Sequence, residues 1–130
     1  MSLSMTDRDR LIDVVVRFTD AFNRDDLDAV MAFFAPDAVY DEFTGTASHG
    51  TAAIRAAFEP QFRGDFGRIR FHTEDLFVDV DTGKALIRWR CTLERDGVTR
   101  AWHGLDILHI ADGLVHQKHT YAKASVPLLE

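Results

Sequence analysis

Asp106 is the residue hardest to explain by folding alone. It lies between Leu105 and Ile107 in the run Ala101 to Tyr121, AWHGLDILHIADGLVHQKHTY, which reads as two strands around a turn at Ala111-Asp112-Gly113. An Asp-Gly pair between apolar runs is a strong hairpin signal, because the turn needs positive φ where Gly has no penalty. A carboxylate in mid-strand is unfavourable unless it is hydrogen-bonded, protonated or facing a cavity. Two readings follow: a perturbed acid in a pocket, or a buried acid bonded to a neighbouring Tyr, Trp or His. Other chemistries find less support. The six histidines include His103, His109, His116 and His119, but no HExxH or Cys/His spacing accompanies them. His116 and His119 fall on opposite faces of a regular strand, so no metal is expected. His103 and His109 read as outer-face or interface residues. Cys91 is the lone cysteine, on an apolar face where burial raises a thiol's pKa, and no Gly-x-Ser-x-Gly elbow or phosphate-cradling glycine loop is present.

The elements that must position Asp106 can be read from periodicity. Thr6 is a plausible N-cap, with Asp7 and Asp9 at the positive end of a helix that carries Leu11, Val15, Phe18 and Phe22 at helical spacing. Asn23-Arg24-Asp25-Asp26 breaks it, and either aspartate can cap a second helix holding Leu27, Val30, Met31 and Phe34, which Pro36 ends. Val39-Tyr40 begins a short extended piece, and Phe43 to Gly50 reads as loop. Thr51 can cap a third helix, Ala52 to Phe62, with Ile54, Phe58 and Phe62 along one side. From there the chain alternates with period two: Ile69 to Val80, Lys84 to Arg95, Arg100 to Ile110 and Leu114 to Tyr121. Three helices followed by a four-stranded antiparallel meander is the order of an α+β fold with a curved sheet against helices.

Alternation also assigns faces. Ala85, Ile87, Trp89, Cys91 and Leu93 share the side expected to meet the helices, opposite Arg88, Arg90, Thr92 and Glu94. In the next strand Trp102, Gly104, Asp106, Leu108 and Ile110 share one face, and His103, Leu105, Ile107 and His109 the other. Apolar residues on both faces suggest a core on one side and a second copy of the chain on the other, a homodimer through the sheet.

Composition bounds the rest. With 130 residues, 46% of them hydrophobic, one domain is expected, spanning residues 5–130; Met1-Ser2-Leu3-Ser4 before Met5 reads as an added segment. A net charge of −6 argues against a nucleic-acid partner, and Arg88, Arg90, Arg95 and Arg100 read as a solvated or interface face before a phosphate patch. No apolar run approaches membrane-spanning length and no signal-peptide core is present, so a cytoplasmic protein away from membranes is expected.

Several segments line up with one pattern: Phe22-Asn23 ending the first helix, Asp26-Leu27-Asp28-Ala29-Val30, Phe34-Ala35-Pro36-Asp37-Ala38, His49-Gly50-Thr51-Ala52-Ala53-Ile54, and Gly104-Leu105-Asp106 followed by Asp112-Gly113-Leu114-Val115. From about Asp7 to Lys123 the chain resembles the NTF2-like superfamily, in its SnoaL-like and ketosteroid-isomerase-like branch. The resemblance implies a cone-shaped α+β barrel with an apolar pocket between helices and sheet, commonly dimeric, and it does not imply one chemistry. The isomerase's oxyanion-stabilising aspartate falls on Asp106, its catalytic base on Glu42, and its oxyanion tyrosine on Phe18, which has no hydroxyl. Pocket-wall positions fall on Trp89, Cys91 and Leu93. Phe18, Phe22, Phe34, Tyr40, Phe58, Trp102 and Leu108 would complete a substrate-binding lining. His119 and Tyr121 share a face of the last strand, and whether that face joins the lining depends on a bulge.

The expected function is therefore a small-molecule pocket protein, possible as a cofactor-free acid-base isomerase or polyketide-cyclase-like enzyme acting on an apolar carbonyl compound. Asp106 would be the principal acid/base and Glu42 the second acid, one removing an α-proton and the other stabilising the enolate. A cyclase would need Asp106 alone. One alternative is a non-catalytic ligand-binding or association domain, favoured by Phe18. The other is an epoxide-hydrolase-like enzyme, which needs an inward arginine beside the paired acids.

Overall fold

The computed structural model describes residues 5–123, and Met1-Ser2-Leu3-Ser4 lie outside them. The elements are α1 (Asp7–Asn23), α2 (Leu27–Ala32), β1 (Phe34–Asp41), β2 (Ala47–His49), α3 (Thr51–Phe62), β3 (Arg68–Asp79), β4 (Lys84–Arg95), β5 (Val98–Ala111) and β6 (Leu114–Ala122). Thr6 caps α1 through a reciprocal pair: its hydroxyl accepts from the Asp9 backbone N–H at 3.1 Å, and the Asp9 carboxylate accepts from the Thr6 N–H at 3.2 Å. Asp26 caps α2, accepting from the Ala29 N–H at 3.0 Å.

Among the described residues the sheet has six strands in the order β2-β1-β6-β5-β4-β3. The meander β3 to β6 is antiparallel, as alternation predicts, and β1 joins it parallel to β6. Its two edges stay open at β2 and β3, so the expected barrel is a curved open sheet.

Four local expectations are corrected. The second helix stops at Ala32 instead of reaching Phe34, because Pro36 disfavours helical backbone at Ala35 and the chain pairs with β6 at Phe34↔Val115. The stretch 43–50 is not all loop, since Ala47–His49 pairs with Val39–Asp41. The helices therefore do not all precede the strands, as β1 and β2 come before α3. Thr51 opens α3 as its first residue while Gly50, at φ 84°, takes the cap position without a side-chain bond.

The core fills the concave side of the sheet. Phe18 and Phe22 of α1 meet edge-on at 5.1 Å between ring centroids, Phe22 meets Phe58 of α3 at 5.2 Å, and Phe58 stacks on Tyr40 of β1 at 4.6 Å. Ala85, Ile87, Trp89 and Cys91 of β4 and Leu108 and Ile110 of β5 face these rings and are buried. Burial of such side chains contributes roughly 1.5–3 kcal/mol each, which makes this layer the main stabilising element.

Candidate functional site

Asp106 points into the concave side at the centre of the sheet and is 8% exposed. Its hydrogen-bonding neighbours come from the two flanking strands, β4 and β6. The indole Nε1 of Trp89 donates to Oδ2 at 3.0 Å; Lys118 Nζ and the Thr120 hydroxyl donate to Oδ1 at 2.8 and 2.5 Å. Lys118 Nζ also donates to Thr120 Oγ1 at 2.7 Å, closing a three-membered polar network. Asp106 accepts every one of these bonds and donates none. The ammonium lies 4.6 Å from the Tyr40 ring centroid, with the Phe22 and Phe58 rings at 5.8 and 5.9 Å, so aromatic faces cover its remaining side.

The charges in this network are unusual for a core. Burial pulls the Lys118 ammonium toward neutrality, but the nearby carboxylate of Asp106, with Tyr40 and Glu42 further off, outweighs it and leaves the pKa above the ordinary lysine value. Lys118 is thus a cation in the interior and a poor nucleophile. Tyr40 moves in the same direction for another reason: burial raises its phenol above its usual value, only partly opposed by Lys118. It remains a neutral O–H at physiological pH, with Thr120 beside it. Burial also pushes the Cys91 thiol up to about 12, which removes it as a nucleophile.

Lys118 and Thr120 face Asp106 because β6 carries a bulge. The pairing runs Ile110↔Val115 and then His109↔Gln117, so one residue at His116 is left over. That extra residue reverses the phase of the strand. Val115, Lys118 and Thr120 turn inward, while His119 and Tyr121 turn outward. His119 and Tyr121 therefore stand on the face opposite Asp106, Tyr121 being 56% exposed. On that outer face the His119 ring meets the Asp41 carboxylate at 3.1 Å and Gln117 Oε1 at 2.8 Å.

The other sequence-predicted residues divide as follows. Phe18, Phe22, Phe34, Tyr40, Phe58, Trp89, Cys91 and Leu108 are buried on the concave side, and Leu93 and Trp102 are half-buried on the same face. Trp89 is a direct ligand of the Asp106 carboxylate as well as a wall. Glu42 follows β1 in a turn closed by its N–H to the Thr46 carbonyl at 2.9 Å. It makes no side-chain bond to Asp106, although its charge reaches Lys118 and Tyr40. Arg88 and Arg90 face outward and are exposed, so neither supplies the inward cation that an epoxide-hydrolase-like site needs. Sequence reasoning missed Lys118 and Thr120, whose only signal was their closeness to Asp106 across the Asp112-Gly113 hairpin.

Two clefts open elsewhere. One, of about 390 Å³, lies on the convex face among Glu74, Arg88, His103, Leu105 and Tyr121. The other, of about 370 Å³, lies among Phe66, Leu93, Arg95, Asp96, Val98 and Arg100. Among the described residues no group of three or more His, Cys, Asp or Glu side chains is placed to hold a metal, and no helix is long and apolar enough to cross a membrane.

The fold recurs widely among solved structures. A candidate polyketide cyclase from Xanthomonas campestris pv. campestris superposes with a TM-score of 0.78 at 23% identity, over 91% of this chain and 93% of that one. An NTF2-like protein of unknown function from Mesorhizobium loti gives 0.76 at 21% identity, over 94% and 98%. TerC, co-crystallised with polyporic acid, gives 0.74 at 11% identity, over 88% and 92%. No curated protein matches the chain. At these identities the likeness establishes the NTF2-like fold alone. The sequence itself goes further: residues 15–117 match the SnoaL-like domain, and the chain belongs to that family.

Proposed function

We propose that this protein is an acid-base enzyme for a small apolar carbonyl compound, bound between the helices and the concave face, with the Asp106–Lys118 pair as its proton-handling centre. The observation that carries the reading is the ion pair itself. A buried pair is weak evidence for stability, because desolvation of two charges offsets their attraction. A shape-matched apolar pair could hold this core as well, so a charged pair beneath an aromatic roof supports a chemical role.

The roles follow from who donates to whom. Asp106 acts only as an acceptor in this network, and it is assigned as the base that takes an α-proton. The donor role that the family resemblance implies for Asp106 passes to Lys118 and Tyr40, a cation and a neutral phenol on the same side, which would stabilise the enolate oxygen. Glu42 is assigned as the second acid, acting on the network through its charge. No cofactor is required by these steps. The same proton is removed and returned in an isomerisation, and a cyclisation would use the enolate carbon as nucleophile on a second carbonyl.

A non-catalytic ligand-binding domain of the same fold is the second reading, favoured by the packing of Phe18, Phe22, Phe34 and Phe58 around the network. Hydrogen–deuterium exchange at the α-carbon of a panel of cyclic ketones and diketones separates the two. The enzyme reading expects protein-dependent exchange that falls 10²–10⁴-fold in Asp106→Asn. Ketones that bind without exchanging their α-protons would support the binding domain.

The convex face supports a homodimer, again as a proposal. Leu86, Leu105 and Ile107 lie half-buried there beside Phe77 and Tyr121, which are 58% and 56% exposed. A single cytoplasmic domain over residues 5–130 remains the working description of the chain.

A further inference from the structure

We infer that the cleft at the β4–β5 end of the concave face is a second binding site, shaped for an organic anion: a carboxylate carried on an aromatic or alkyl body. It is distinct from the Asp106 network. Arg100 and Asp106 lie on the same face of β5 but six residues apart, about 20 Å at the rise of a β-strand.

The register builds the cleft. Arg95 pairs with Val98 and Leu93 with Arg100, so these four side chains sit side by side on the face that also carries Cys91 and Trp102. Helix α3 ends at Phe62, before it can cover them, and Phe66 of the following loop overlooks the gap. Phe66 is 51% exposed and Val98 56%, yet neither is tucked into the nearby core.

The position of Phe66 is held by its loop. The Asp65 N–H bonds to the Pro60 carbonyl at 3.1 Å and the Gly67 N–H to the Gly64 carbonyl at 3.0 Å. Gly67, at φ 109°, presses so closely on the Glu94 carbonyl that a Cβ there would overlap it. The backbone that carries Phe66 is therefore fixed before any ligand arrives, which lowers part of the ordering cost of binding.

Charge selects the ligand. The chain carries −6 overall, yet this cleft presents two arginines against one aspartate. Arg95 makes only a loose contact with Asp96, 3.8 Å from Nε to Oδ2, and Arg100 has no ion-pair partner among the described residues. A guanidinium offers paired N–H donors that match a carboxylate's two oxygens. With Phe66, Leu93 and Val98 forming the walls, a neutral apolar compound would leave both arginines unused, and a small inorganic anion would leave the apolar walls wet. The volume, about 370 Å³, is that of a site for a small organic molecule.

Titration of the ¹⁵N-labelled protein with 2-naphthoate, beside its neutral analogue 2-naphthylmethanol, tests the site. The expected result is saturable amide shifts at residues 66 and 93–100, with the alcohol at least tenfold weaker. Arg100→Gln or Arg95→Gln should weaken naphthoate about tenfold, and Phe66→Ser should weaken both compounds. All three residues are exposed, so the variants should fold like the parent. Equal binding of acid and alcohol, shifts confined to the surroundings of Asp106, or no shifts up to the solubility limit would each overturn the inference. Failure of ketone exchange at Asp106 would leave these shifts unaffected, so the two readings are tested separately.

Discussion

At the scale of single residues, Asp106 and Lys118 have to be considered as one unit. Each is the other's main compensation for burial, at 11% and 6% side-chain exposure, so removing one strands the other. Asp106→Leu and Lys118→Met should each lower stability by about 3–5 kcal/mol. The double variant Asp106→Leu/Lys118→Met should lose less than the sum, in urea unfolding followed by circular dichroism. A strictly additive double variant would mean that the two do not depend on each other. The pair also sets the alkaline limit. Lys118 has a pKa above its ordinary 10.5 in the folded protein, so the folded state binds that proton more tightly than the unfolded chain does. Its contribution is complete below 10.5 and is lost as pH rises through the folded value. Tyr40, raised from 10.0, acts with the same sign. Urea midpoints should therefore be level with respect to these two groups through neutral pH and fall beyond about pH 10, and Lys118→Met should blunt part of that fall.

At the scale of elements, the site depends on how β4, β5 and β6 lie across one another. Gly104 sits opposite Trp89 and two residues before Asp106, and a Cβ there would overlap the Trp89 ring and crowd the Tyr121 carbonyl. The absent side chain lets the indole lie flat enough for its N–H to reach Asp106. Gly104→Ala should force the indole aside and lower stability by about 1–3 kcal/mol. Its tryptophan emission should change, because Trp89 would lose its carboxylate partner. An unaltered spectrum with unaltered stability would show that the indole has room to spare.

At the scale of the whole molecule, one sheet presents two different faces. The concave face carries the aromatic core, the Asp106 network and the arginine-lined cleft. The convex face carries Phe77, Leu86, Leu105, Ile107 and Tyr121 among His103, His109 and Arg88, with Glu74 accepting from His103 Nδ1 at 2.7 Å. His109, partly buried there and close to Lys84, has a pKa below the ordinary imidazole value and is neutral at physiological pH, which suits an apolar contact. Sedimentation equilibrium should give a dimer at micromolar concentration, and Leu105→Asp with Phe77→Asp should give a folded monomer. A wild-type chain that sediments as a monomer at high concentration would remove the sheet-face dimer.

The one-dimensional pattern was enough for whatever depends on local chemistry and regular period. The Thr6 N-cap and the Asp112-Gly113 turn follow from neighbouring residues. So do the inward row Ala85 to Leu93 and the inward Asp106, because alternation in β4 and β5 is uninterrupted. Tertiary structure decided the rest. Phe34 left its helix because strand β6 was there to pair with it, and three residues of the loop became β2 because β1 offered an edge. Above all, the β6 partners of Asp106 turned on a single unpaired residue at His116. A strand's side chains alternate with period two, so one extra residue exchanges the two faces of everything after it. It brought Lys118 and Thr120 inward and sent His119 and Tyr121 out, and such a bulge is settled only when β5 and β6 pack together.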